Sequence, residues 1–274
     1  MTALDVADDL AVAAPSTAAR RRAMSYRTLL IALQAGIAVA LVAAWEIGAS
    51  TGAVNTFLFS SPSRVGQVIV ERWQSGDLVL DVGTTALEVA LGFVIGAVGG
   101  SVIGLLLWYS KFVADLSAPF IAAIGSIPVL AIAPMTIIWF GTGLESKIVI
   151  VAFSCVVVSL TTSYRGARMA DQDLLNLVRS FGGNRGTAFR RVVVPASMTW
   201  VVQALKLNVG FAIVGAIVGE YISSNAGIGH MILLGSSNFS VNIVLAGLAL
   251  VMVTVLVFTL IVSGIEHIVL RWEK

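Results

Sequence analysis

The chain has 274 residues, 58% of them hydrophobic and 12% charged, with a mean hydropathy of +0.95. Soluble domains carry roughly 25% charged residues, so this chain cannot cover a water-facing surface, and a soluble globular enzyme, a disordered chain and a disulfide-stapled module are all excluded. A formal net charge of +2 carries no nucleic-acid signature, and the single cysteine, Cys155, cannot form an internal disulfide.

What remains is an all-α polytopic membrane protein. A helix needs roughly 20 apolar residues to cross the hydrocarbon. The apolar runs here are continuous rather than alternating, which disfavours strands. Residues 1–27 open the chain as an Ala-rich segment with Asp5, Asp8 and Asp9, followed by Arg20, Arg21, Arg22 and Arg27. They read as a disordered cytoplasmic tail. The first span covers 28–45 and ends at Glu46. Five more spans follow it, so it reads as a retained anchor rather than a cleaved signal peptide. Ser60-Ser61-Pro62-Ser63 then offers a helix start with proline near the first position. Val65, Val68, Ile69 and Trp73 recur at helical spacing, which predicts a short amphipathic helix at the membrane interface.

The second span covers 89–110. Gly92, Gly96, Gly100 and Gly104 recur in it every four residues, a stripe that lets another helix backbone approach closely. The third covers 116–144 and contains Pro119, Pro128 and Pro134; it is expected to be one kinked span and a candidate pathway wall. The fourth covers 148–164, with Lys147 snorkelling at its edge. The fifth covers 200–221 and holds Lys206, Glu220 and a second glycine pair, Gly215 and Gly219. The sixth covers 241–265. Together these define a six-span domain at 28–270, a polar loop at 165–199 and a short terminus at 271–274.

Charge asymmetry orients the spans. Arg20, Arg21, Arg22, Arg27, Lys111, Arg165, Arg168, Arg179, Arg185, Arg190, Arg191, Arg271 and Lys274 fall on one side, thirteen of the 17 basic residues. That side is the expected cytoplasmic one and contains both termini.

Catalytic constellations are missing. His230 and His267 are isolated and lack metal-ligand spacing. Gly141-Thr142-Gly143-Leu144-Glu145-Ser146-Lys147 fails the spacing of a phosphate loop. The chain is therefore expected to be non-catalytic, with no metal and no cofactor of its own.

The most informative stretch is the loop between the fourth and fifth spans. Leu174, Leu177, Val178 and Phe181 follow the i, i+3, i+4, i+7 pattern of an amphipathic helix. Asp171 is its predicted N-cap, and Gly182-Gly183 its end in a left-handed residue. Asn184 is expected to cap a second short helix through Phe189 and Val192, with Pro195 in the first turn of the fifth span. Such an element presents a small convex face to the cytoplasm, suited either to docking a partner or to resting on the membrane.

This loop resembles the signature loop of bacterial ATP-binding-cassette (ABC) importer permeases, E-A-A-x3-G-x9-I-x-L-P. The frame here is Asn176-Leu177-Val178, Gly182, Val192, Val194 and Pro195, with Asn-Leu-Val in place of the E-A-A triplet. Phe57 through Ser63, Ile127-Pro128, Ile138 through Gly143, Gly219-Glu220-Tyr221-Ile222 and Gly227-Ile228-Gly229 resemble segments of the nitrate, sulfonate and taurine branch. The resemblance covers roughly residues 28–270 and implies a type I importer permease with interfacial and coupling helices. It implies a second permease subunit as partner, in a homodimer, with two cytoplasmic ATPase subunits that bind ATP and Mg. It further implies an extracytoplasmic solute-binding protein and a place in the bacterial cytoplasmic membrane. Asp171, Asp173, Leu174, Leu177, Val178, Arg179, Phe181, Gly182 and Pro195 would form the ATPase-coupling element. The solute would be a small anion such as a sulfonate, taurine or nitrate, or alternatively an aromatic acid or vitamin precursor.

Polar groups at membrane depth are costly, hence functional candidates. Pro128, Met135, Trp139, Asn208 and Glu220 are the candidate pathway residues. Lys206 is expected to snorkel to the cytoplasm. A stand-alone secondary transporter is the competing architecture; those often show inverted repeats, and none is found here.

Overall fold

The computed structural model describes residues 17–270, and these are helical with no strand among them. In chain order the helices are α1 (Thr17–Ser50), α2 (Thr56–Phe59), α3 (Pro62–Ser75), α4 (Asp77–Tyr109), α5 (Lys111–Gly125), α6 (Val129–Phe140), α7 (Leu144–Arg168), α8 (Gln172–Ser180), α9 (Arg185–Ile222), α10 (Ile228–Ser237) and α11 (Val241–Val269). The chain divides into two units, one ending at Ser63 and the other beginning at Arg64.

In the first unit α1 starts at Thr17, ahead of the apolar run, so the end of the expected disordered tail is helical. The remainder of that tail and residues 271–274 lie outside the described residues. From Thr28 to Ala44 the α1 side chains are exposed, as befits a helix whose solvent is lipid. Glu46, near its end, accepts hydrogen bonds from the Ser63 amide (2.9 Å) and the Ser63 hydroxyl (2.8 Å). A carboxylate at the first turn of α3 offsets the positive end of that helix.

In the second unit α7 is the central helix, with α4 against one side and α9 against another. The glycine stripe of α4 explains the closeness. A Cβ at Gly96 would fall on the Ala152 carbonyl, and one at Gly104 would lie 3.0 Å from the Leu160 carbonyl carbon. Gly215 and Gly219 of α9 approach α7 at Val151, Ser154, Lys147 and Ile150. Both glycine sets therefore serve packing within this chain. Val89, Val151, Cys155, Val209 and Ile213 form the core between the three helices. At mid-span the Asn208 amide of α9 donates to the Ser159 hydroxyl of α7 at 2.5 Å. Interhelical hydrogen bonds of this kind stabilise membrane bundles by about 0.6–2 kcal/mol.

The third span is kinked, as its prolines led one to expect, and sharply so. It is two helices, α5 and α6, bent by 92°. Pro119 and Pro134 stay inside them, and the break falls at Pro128, which is extended at φ −62° and ψ 130°. Proline has no amide to donate and disfavours helical geometry in the residue before it. With this bent pair counted as one span, the described residues hold six.

Candidate functional site

Two short helices outside the spans, α8 and α10, are built in opposite ways. The first, α8, is set by its own sequence. The Asp171 carboxylate accepts from the Asp173 amide at 2.8 Å, so it caps the helix as expected. Asp173 in the first turn and Arg179 in the last complement the helix dipole. At the other end Gly182 is left-handed, with φ 76°. Its amide donates to the Arg179 carbonyl and that of Gly183 to the Val178 carbonyl, both at 2.9 Å, which is the Schellman arrangement.

Two side chains tie α8 to the bundle: Val178, which is on the expected stripe, and the more deeply buried Leu175, which is not. Leu175, 2% exposed, sits among Ala167, Ala170, Ala188, Val192 and Val193. Leu174 and Leu177 are about half exposed and Phe181 is 84% exposed. Val178 is half-buried. Leu177, Val178, Phe181, Gly183, Thr187 and Arg191 line a surface groove of about 300 Å³.

The expected second short helix is instead the start of the fifth span. Asn184 does act as a cap, its side chain accepting from the Thr187 amide at 2.8 Å, but the helix it opens is α9 itself. Pro195 lies inside that helix, immediately after a wider turn at Phe189–Val193 in which the Val194 amide reaches back to the Phe189 carbonyl. A five-residue turn makes room for a proline ring that would clash with a regular turn.

The second short helix, α10, was not foreseen. Its ten residues, Ile228–Ser237, cannot span a bilayer. Its N-terminal amides are satisfied by buried side chains of other helices. The Gly227 amide donates to Asp81 (2.9 Å), that of Ile228 to the Thr85 hydroxyl (2.9 Å) and that of Gly229 to Glu220 (2.6 Å). The Thr85 hydroxyl donates in turn to Glu220 at 2.6 Å. Asp81 also pairs with Arg72 at 3.0 Å. Glu88 contacts Glu220, and Lys147 lies close enough to interact with both carboxylates. Asp81, Thr85 and Glu88 fall at i, i+4 and i+7 on one face of α4, a polar stripe legible in the sequence but unused above.

These contacts settle several placements. Glu220 is fully buried and anchors the loop after α9. Lys147 does not snorkel: it is buried and donates to the Thr142 carbonyl. Lys206 is partly exposed and pairs with Glu266, near the end of α11, at 2.5 Å. Asn208 lies inside the α7–α9 packing rather than on an open wall. Met135 and Trp139 are exposed on α6, and Pro128 marks the bend before it. The structure thus brings the α8 residues together and leaves the pathway candidates spread over α6 and α9. Among the described residues no cluster of His, Cys, Asp and Glu could hold a metal.

A multi-span helical bundle with an exposed, firmly capped helix between two spans defines a polytopic membrane protein. Residues 92–272 match the family model for the binding-protein-dependent transport system inner membrane component, and the chain belongs to that family. It is 26% identical over 234 residues to a putative aliphatic sulfonates transport permease, SsuC, of Bacillus subtilis, covering 85% of each chain. It is also 26% identical over 233 residues to the riboflavin transport system permease RibX of Chloroflexus aurantiacus, covering 85% of this chain and 87% of that one. Its fold is that of the permease in an inward-facing MetNI methionine ABC transporter structure, with a TM-score of 0.62 at 18% identity over 72% of this chain and 97% of that one. The protein is a multi-pass permease subunit of an ABC importer, with the type I importer fold expected from its sequence.

Proposed function

We propose that two copies of this chain form the translocation pathway of an importer for a small anion such as a sulfonate, taurine or nitrate. Each copy docks one cytoplasmic ATPase subunit through α8, and an extracytoplasmic binding protein delivers the solute. ATP and Mg reside in the ATPases, and this chain performs no chemistry. Both termini face the cytoplasm of a bacterial inner membrane. The observation that carries this reading is α8 itself. It is capped at both ends and anchored by Leu175, yet it presents Leu174, Leu177 and Phe181 outward.

Mechanically, a ligand drives a conformational change only through unequal affinity for the two states. ATP binding supplies that bias in the ATPases, and α8 transmits it. Leu175 seats α8 against Ala167 at the end of α7 and Val192 at the start of α9, so a push on α8 reaches two spans at once.

Native mass spectrometry of the gently extracted complex tests the assembly. Two copies with two nucleotide-binding subunits are expected, and a particle without an ATPase partner overturns the reading in favour of a secondary transporter. The equally similar riboflavin permease supports a second reading of the solute, a small vitamin-like or aromatic compound. Competition of taurine, nitrate and riboflavin for ATP-driven uptake in vesicles separates the two.

A further inference from the structure

The end of the bundle that carries α8 contains a cavity the transport reading does not use. It has a volume of about 530 Å³ and lies between α4, α5, α7 and α9. Leu107, Ala118, Ile121, Val157, Leu160 and Trp200 give it an apolar wall, and Tyr164, Arg165 and Arg168 close one end. From Val157 to Arg168 it follows α7 for roughly 16 Å at 1.5 Å per residue. A smaller cavity of about 200 Å³ shares Leu107, Tyr164 and Arg168 with it and adds Trp108 and Lys111. Neither cavity is lined by an acidic side chain. Lys111, Arg165 and Arg168 make no side-chain hydrogen bond or ion pair among the described residues.

We propose that this pair of cavities binds an anionic phospholipid, its phosphate between Lys111, Arg165 and Arg168 and an acyl chain along the wall from Leu160 to Val157. Three arguments favour a lipid. The cations sit where α4 and α7 end and α5 begins, beside Trp108 and Tyr109, and aromatic side chains of this kind mark the headgroup level of a membrane protein. Basic pockets between spans on the cytoplasmic side suit anionic headgroups. The apolar depth beneath the cations offers nothing to a fully hydrophilic anion and much to a hydrocarbon chain. Orientation and dipole effects alone would explain Arg165 and Arg168 at the end of α7, but not the convergence of Lys111, from another helix, with Arg168 on the smaller cavity.

The test measures lipid retention on the purified protein, with its accompanying subunits, by native mass spectrometry after exchange into dioleoylphosphatidylglycerol or dioleoylphosphatidylcholine. Phosphatidylglycerol is expected to be retained preferentially, one per copy of this chain. Arg168→Gln and Lys111→Gln should each weaken it about fivefold, the equivalent of about 1 kcal/mol per basic residue at an anionic surface. Ala122→Phe, which fills the apolar part without changing charge, should abolish retention in a protein that still unfolds at its usual temperature. Equal retention of phosphatidylcholine overturns the proposal, as does retention unchanged in both Arg168→Gln and Ala122→Phe. Displacement of phosphatidylglycerol by inorganic phosphate or taurine also overturns it, assigning the cavity to a water-soluble anion.

Discussion

α8 and α10 are nearly the same length and lie outside the spans, yet the protein treats them oppositely. The first amides of α10 are bound by Asp81, Thr85 and Glu220, all buried and all on spans. The first amides of α8 are bound by its own Asp171. Ile228, Met231 and Gly235 of α10 are buried against the bundle, whereas α8 buries Leu175 alone. One helix is fixed to the spans at its N-terminus and along one face. The other has its own caps, is attached through Leu175 and the partly buried Val178, and is left apolar on its outer side. An apolar stripe kept in order by local caps is what a helix needs if another chain is to cover it.

Substitutions that exploit this difference should separate the two helices. The largest effect is expected from Glu220→Ala, which strands the Gly229 amide and takes from the Thr85 hydroxyl its carboxylate acceptor. Removing one partner of a buried charged network costs about 3–5 kcal/mol, read as a lowered unfolding temperature and loss of hydrogen-exchange protection in α10. Next comes Leu175→Ala, at about 2–5 kcal/mol for a buried leucine. Its loss should release α8 while the α4–α7–α9 core persists, visible as proteolysis confined to 171–184. Asp171→Ala removes only a cap, about 1 kcal/mol, and should speed amide exchange in the first turn of α8. The smallest effect on stability belongs to Phe181→Ala: an exposed side chain contributes within about 0.5 kcal/mol. The unfolding temperature should stay put while coupling of ATP hydrolysis to uptake falls.

The same contrast explains what the sequence revealed. Everything that shapes α8 is local: Asp171, the Leu174–Phe181 stripe and Gly182 lie within twelve residues, so its ends could be read directly. The Leu175 anchor escaped because its partners, among them Ala167 of α7 and Val192 of α9, come together only in the fold. Nothing local announces α10, whose partners Asp81 and Thr85 stand 146 and 143 residues before the amides they hold. The spans were legible from hydropathy and the glycine packing from spacing. The break at Pro128 was not distinguished from the tolerated Pro119 and Pro134, because proline inside a helix is accommodated or not according to its neighbours. Lys147 read as snorkelling because its burial among α4, α7 and α9 comes only with the folded bundle.

Most directly, ATP-driven uptake should be measured in vesicles holding the assembled transporter with Leu177→Asp and Phe181→Ala on α8, alongside its unfolding temperature. If α8 is the surface that receives the ATPase, uptake falls at least about tenfold, equivalent to about 1.4 kcal/mol or more of lost docking, and the unfolding temperature of the bundle does not move. Full uptake from the doubly substituted protein would contradict that role.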